Sequence, residues 1–297
     1  MNQKRFAGAA VATPLTPDLG IDHACLVTHI TQLLERGIDL LTLFGTTGEG
    51  PSFSRNERSE AIRRCRESGI SADQLGSGVF ALSSVHAGEE ARAAFDNGCG
   101  HVLLAPPCYY KSLDDEGLYR WFSEAIECAG ANPGQFVLYH IPGMTQVELS
   151  VELVSRLAAQ FPGVITGVKD SSGNWSHTER LIKERGALTV FVGHEGQLER
   201  GMRAGASGAI AGSANILPEV IKAIVHDDSE EPNLPLLIDE LLKHPIIPAV
   251  KALIAYRLDS PAWLSVRPPL TQLASKHISS LGERLDALFP TDAHRIR

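Results

Sequence analysis

The chain has 297 residues, 43% of them hydrophobic and 21% charged, and a formal net charge of 27 − 35 = −8, which suits an ordered globular protein able to bury a large core. The acid excess, with no Lys/Arg cluster beyond Arg63-Arg64, excludes the cationic surface that holds nucleic-acid phosphates. Pro14 and Pro17 cut the first apolar run below signal-peptide or membrane-span length, and five scattered cysteines with no C-x-x-C pair argue against a disulfide framework or zinc site, so a cytoplasmic protein with reduced thiols is expected.

Short apolar runs bounded by turn residues predict strands at 8–13, 38–44, 75–80, 101–105, 136–139, 164–169, 188–192 and 208–211. Helical patterns lie between them. In 22–36, Leu26, Ile30, Leu33 and Leu34 recur near helical spacing. Ser54-Arg55-Asn56-Glu57 has the spacing of a capping box. Gly37, Gly69, Gly98, Gly130, Gly186 and Gly205 stand where helices should stop. Strands alternating with helices imply parallel pairing, and about eight such units at this length predict a closed (β/α)8 barrel. An open doubly wound sheet is the rival, weakened because the first strand-to-helix turn lacks a G-x-G-x-x-G fingerprint. The barrel core is expected over 1–217. Residues 218–297 are expected to supply the last barrel helix and C-terminal helices, near 236–244, 248–258 and 270–288, packed on the barrel as one structural unit.

In such a barrel the reactive groups sit at the carboxyl ends of the strands. Gly45-Thr46-Thr47-Gly48-Glu49-Gly50 follows the second strand; its small residues let the backbone approach a ligand, and its hydroxyls can bind a carboxylate or pass a proton. An ordinary turn would look similar. Pro106-Pro107-Cys108-Tyr109-Tyr110 follows the fourth strand and brings phenols able to move a proton or to fill an interface. Cys108 beside them could alter what the site accepts or merely fill space; filling is expected, since free cysteine usually behaves as a small hydrophobe. Tyr139 closes the fifth strand, as a proton carrier or a core tyrosine. Its neighbour His140 should point to the opposite face and is not counted as catalytic.

The sixth run ends in Gly167-Val168-Lys169-Asp170-Ser171-Ser172-Gly173. An ammonium held against a buried strand loses hydration, which favours the neutral amine able to attack a carbonyl. The alternative is a solvated lysine paired with Asp170. His194-Glu195 begins like a zincin helix, but Leu198 stands where the second histidine belongs, so no metal is expected. An amine, a threonine pair and tyrosine hydroxyls at one barrel mouth suit Schiff-base chemistry on a 2-keto acid without an external cofactor.

With these motifs in order, the chain resembles the dihydrodipicolinate synthase / N-acetylneuraminate lyase family of pyruvate-dependent class I aldolases. The likeness runs from about Phe6 into the C-terminal helices, through Thr13-Pro14-Leu15-Thr16, Gly45-Thr46-Thr47-Gly48-Glu49, Tyr109-Tyr110 with Glu116-Gly117-Leu118-Tyr119, Tyr139-His140-Ile141-Pro142 and Gly167-Val168-Lys169-Asp170. It implies that Lys169 forms the pyruvate Schiff base, that Tyr139 transfers protons, and that Thr46 and Thr47, with Gly45, hold the carboxylate or relay protons. It further implies that Tyr110 reaches across a dimer contact, that Ile210 walls the pocket, and that the assembly is a homotetramer, a dimer of dimers. The partners implied are pyruvate or another 2-keto acid and an aldehyde.

The synthase branch carries an arginine for the acceptor's carboxylate two positions beyond the proline, where this chain has Met144. A thioether cannot replace that charged contact, so aspartate semialdehyde is expected to be a poor acceptor unless Lys111 or His140 compensates. The alternatives are an aldolase or dehydratase of a 2-keto-3-deoxy sugar acid or a 4-hydroxy-2-oxo acid, and a non-catalytic keto-acid-binding barrel.

Overall fold

The apolar runs become parallel strands that close on themselves: β1 (Phe6–Ala10), β2 (Leu40–Leu43), β3 (Leu75–Val79), β4 (His101–Leu104), β5 (Gln135–His140), β6 (Ile165–Asp170), β7 (Thr189–Val192) and β8 (Gly208–Ala211). Each pairs with the next, and β1 also pairs with β8, which makes a closed (β/α)8 barrel. The computed structural model describes residues 4–130 and 134–290; the end of the expected 218–297 segment, 291–297, lies outside the described residues.

The helices are α1 (His23–Glu35), α2 (Arg55–Glu67), α3 (Ser84–Asp96), α4 (Asp115–Cys128), α5 (Pro142–Thr145), α6 (Val151–Gln160), α7 (Trp175–Glu184), α8 (Leu198–Ala204), α9 (Pro218–His226), α10 (Asn233–Leu241), α11 (Ile246–Arg257) and α12 (Ser275–Leu288). Asp22 caps α1 by accepting from the Cys25 N–H, and Ser54 with Glu57 forms the expected capping box on α2. The expected stop glycines all adopt positive φ, the left-handed turn that ends a helix without a Cβ clash.

Strand alternation sorts side chains into two layers. Leu103, Val137, Tyr139, Phe191 and Ile210 fill the barrel interior. Val102, Leu104, Leu138, Val168 and Val190 face the helices. Both faces are covered, which is why the strands read as unbroken apolar runs.

Boundaries moved where side chains captured backbone groups. β1 leaves its ladder before Thr13 because the Ala12 N–H donates to Asn215 Oδ1. α10 begins at Asn233 although Pro235 follows; a proline in the first turn lacks an N–H that would have no helical partner there. α12 begins at Ser275 rather than near Leu270. α9 packs on β1 and β8 as the last barrel helix, and α10 to α12 pack on one another. Buried Trp263 meets the His29 ring edge-on, with centroids 4.8 Å apart, and ties this C-terminal segment to α1.

Candidate active site

Lys169 and Tyr139 are opposite one another in the β5–β6 register, and alternation turns both inward at the carboxyl end of the barrel. Lys169 is 4% exposed and Tyr139 2%. The Lys169 Nζ lies 4.6 Å from the Tyr139 ring centroid. No salt bridge joins Lys169 to Asp170, whose carboxylate is engaged by His140 and His177 instead; the solvated pairing is therefore corrected. Room for the lysine comes from Gly193, just after the next strand, where a Cβ would stand 2.8 Å from Lys169 Cε.

The Tyr139 hydroxyl is 3.3 Å from Thr46 Oγ1, within reach of proton exchange. Thr46, Thr47, Tyr139, Lys169, Ile210 and Met144 line one cavity of about 310 Å³. Gly45 is buried behind it and does not line it. Tyr110 is 70% exposed and is not brought to this cavity within its own chain; its ring packs edge-on against Tyr109, with centroids 5.3 Å apart. Cys108 is exposed, so the expectation that it fills space is wrong: the loop after β4 carries it outward. The suggested substitutes for an acceptor arginine are also elsewhere. Lys111 donates to the Thr145 carbonyl at 3.0 Å, and His140 faces the helix layer.

The threonine turn is held by groups that motif reading missed. Glu49 has a left-handed backbone, φ 55°, and is fully buried against Lys251 of α11, Nζ to Oε1 2.7 Å. Lys251 also donates to the Thr13 carbonyl at 2.9 Å, and the Arg267 N–H donates to Glu49 Oε2 at 2.8 Å. Burial pushes the Lys251 ammonium below its ordinary range, with Glu49 opposing that shift. The signal for this pair was a lone lysine within the apolar stretch Ile246–Ala255 of α11. His194 and Glu195, set aside as an incomplete metal motif, line the cavity with Ser171 and Ser213. Glu195 Oε1 accepts from the Ser213 N–H at 3.0 Å and from its hydroxyl at 3.1 Å. Their position just after β7 was the available clue. No helix of the described residues is long and apolar enough to cross a membrane.

Comparison with known proteins agrees with the barrel fold and the family resemblance. The model of the dihydrodipicolinate synthetase family matches residues 5–288. An uncharacterized DapA-like lyase of Chloroflexus aurantiacus is 31% identical, over 95% of this chain and 96% of its own. The crystal structure of dihydrodipicolinate synthase from Agrobacterium tumefaciens superposes with a TM-score of 0.92 at 42% identity, covering 95% of this chain and 98% of that one. The chloride-inhibited synthase from Acinetobacter baumannii, complexed with pyruvate, gives 0.84 at 28%, covering 97% and 99%.

Proposed function

The chain belongs to the dihydrodipicolinate synthetase family as one of its lyase-type enzymes, and from that membership we propose that Lys169 condenses with pyruvate or a related 2-keto acid to join it to, or cleave it from, an aldehyde. The observation that carries this is the buried Lys169 amine against Tyr139, with the Tyr139 hydroxyl in reach of Thr46.

The neutral amine attacks the ketone carbon, forming a C–N bond while the carbonyl electron pair moves to oxygen and takes up a proton. Loss of that oxygen as water leaves the imine on Lys169. The Tyr139 hydroxyl, coupled to Thr46, ferries these protons and later the one removed from the methyl carbon to give the enamine nucleophile. Thr47 and the turn backbone hold the carboxylate. The exposed Tyr109 and Tyr110 rings, with exposed Leu82 and Val85, support a tetramer in which Tyr110 completes a neighbour's site.

A specific observation favours a hydroxylated acceptor over a carboxylated one. Met144 lines the acceptor side, and among the described lining residues Lys169 is the sole lysine or arginine. Ser171, His194, Glu195 and Ser213 offer hydroxyl-binding partners instead. This supports a 2-keto-3-deoxy sugar acid or 4-hydroxy-2-oxo acid as substrate. Borohydride reduction in the presence of pyruvate, followed by intact-mass spectrometry, is the test. The expected result is a one-pyruvate adduct on the parent and none on Lys169→Ala; a parent without adduct refutes the mechanism. Efficient turnover of aspartate semialdehyde would refute the acceptor assignment.

A further inference from the structure

Directly behind the reactive pair lies a second polar cluster. His140 and Asp170 are the next register pair after Tyr139 and Lys169, so alternation points them outward while their neighbours point inward. His140 is fully buried. Its Nδ1 is 3.0 Å from Asp170 Oδ1, and its Nε2 is 2.7 Å from Glu148 Oε2. His177, on α7, places Nδ1 3.1 Å from Asp170 Oδ2 and Nε2 2.8 Å from the Leu149 carbonyl. The two imidazoles face each other with centroids 4.1 Å apart.

Asp170 also accepts from the Ser172 N–H at 2.9 Å and from Thr178 Oγ1 at 2.7 Å. Four donors use the roughly four lone-pair positions of a carboxylate, which leaves none for a metal ion although His140, Asp170 and His177 lie close enough to suggest one. The His177 ring presents both nitrogens to acceptor oxygens, an arrangement that only the imidazolium satisfies fully.

We propose that His140, Asp170 and His177 form a protonation-dependent latch that sets the spacing of Tyr139 and Lys169 and holds the 142–149 segment, with Met144, against the cavity. These are positioning residues, and the inference rests on Lys169 and Tyr139 being the reactive pair. The latch joins the ends of β5 and β6 to α7 and to the loop before α6, so losing one donor frees several elements at the carboxyl mouth. Burial opposes charge on His177, but the hydrogen bond to Asp170 and the charges of Asp170 and Glu148 outweigh it and raise its titration above the ordinary histidine value. The latch is therefore closed at low pH and opens as pH rises through that titration. The groups facing His177 are His140 from β5, Asp170 from β6, Glu148 from the loop and Glu152 from α6, the last paired with Arg180. From α8, Arg200 lies over the Trp175 ring, and β7 carries no titratable group.

The test is the pH profile of borohydride-trapped adduct formation with pyruvate on the full-length protein. His177→Leu should slow the saturated rate roughly ten- to hundredfold, leave the pyruvate KM nearly unchanged and erase the alkaline limb. His177→Gln, an amide donor that does not titrate, should restore most of the rate with a flat profile. Glu148→Gln alters a side chain that is 75% exposed, so folding is spared, and it should move the alkaline limb to lower pH. A parent-like rate and profile in His177→Leu, or an unmoved limb in Glu148→Gln, overturns the latch while the parent's adduct leaves Lys169 in its role. A parent without adduct removes the reactive pair and the latch with it.

Discussion

The two ends of the barrel differ in a way that volume alone would misjudge. At the amino end a cavity of about 850 Å³ lies among Phe6, Leu40, His101, Val137 and Phe191; at the carboxyl end the cavity is about 310 Å³. The larger one is lined by exposed or half-buried Lys4, Asp73, Glu184 and Arg185 and by one buried imidazole, His101, which burial pushes down to about 4 and so keeps neutral. The smaller one is lined by an amine, a phenol, two threonine hydroxyls and a carboxylate, with the Lys169 amine 4.6 Å from the Tyr139 ring centroid and the Tyr139 hydroxyl 3.3 Å from Thr46. Convergent, chemically distinct groups make a reactive site. The carboxyl end collects them because parallel strands all deliver their following loops there, while the amino end receives only helix-to-strand turns.

That contrast can be broken most forcefully at Tyr139. Tyr139→Phe keeps the ring and removes the hydroxyl proposed to carry protons, so turnover should fall by about 10²–10⁴-fold while the fold and the Tm stay near the parent's; steady-state kinetics beside a thermal melt would measure both. Retention of turnover would place the proton relay elsewhere.

The next largest effect is expected at Lys251, which joins the C-terminal extension to the threonine turn. Lys251→Met strands the buried Glu49 carboxylate and should destabilise the protein by about 3–5 kcal/mol, read as a lower urea midpoint. Any remaining activity should show a raised pyruvate KM, because Glu49 ends the turn that carries Thr46 and Thr47.

The amino end supplies the smallest effect and the control. His101→Leu should leave adduct formation within roughly twofold of the parent, since distant sites act independently. It should change acid stability instead. The folded His101 titrates near 4 against an ordinary 6.5, so the unfolded chain takes up the proton first and stability is lost as pH falls from about 6.5 towards 4. That loss is on the order of 3 kcal/mol at most, and His101→Leu should lessen it in denaturant titrations at those pH values. Asp170 behaves in the same direction at lower pH: burial opposes its charge, but hydrogen bonds from His140 and His177 hold its carboxyl well below the carboxylate range.

Much of this was legible from residue order. Strand and helix periodicity, capping signals and stop glycines are local, and they placed the barrel and put Lys169, Tyr139, Thr46 and Thr47 at strand ends. Those four share one cavity because a closed barrel brings every strand's carboxyl end to one rim. Sequence by itself therefore determined the architecture and the family, since the one rests on backbone periodicity and the other on motifs within a few residues. Tertiary structure alone decided the partnership of Glu49 with Lys251, 202 residues away, the entry of Glu195 and Ser213 into the cavity, and the cluster of His140, Asp170 and His177 behind it. Each depends on which way a side chain points once distant segments meet; burial makes those polar contacts obligatory, but the chain marks at most one polar residue in an apolar or strand-end setting and not the partner it meets.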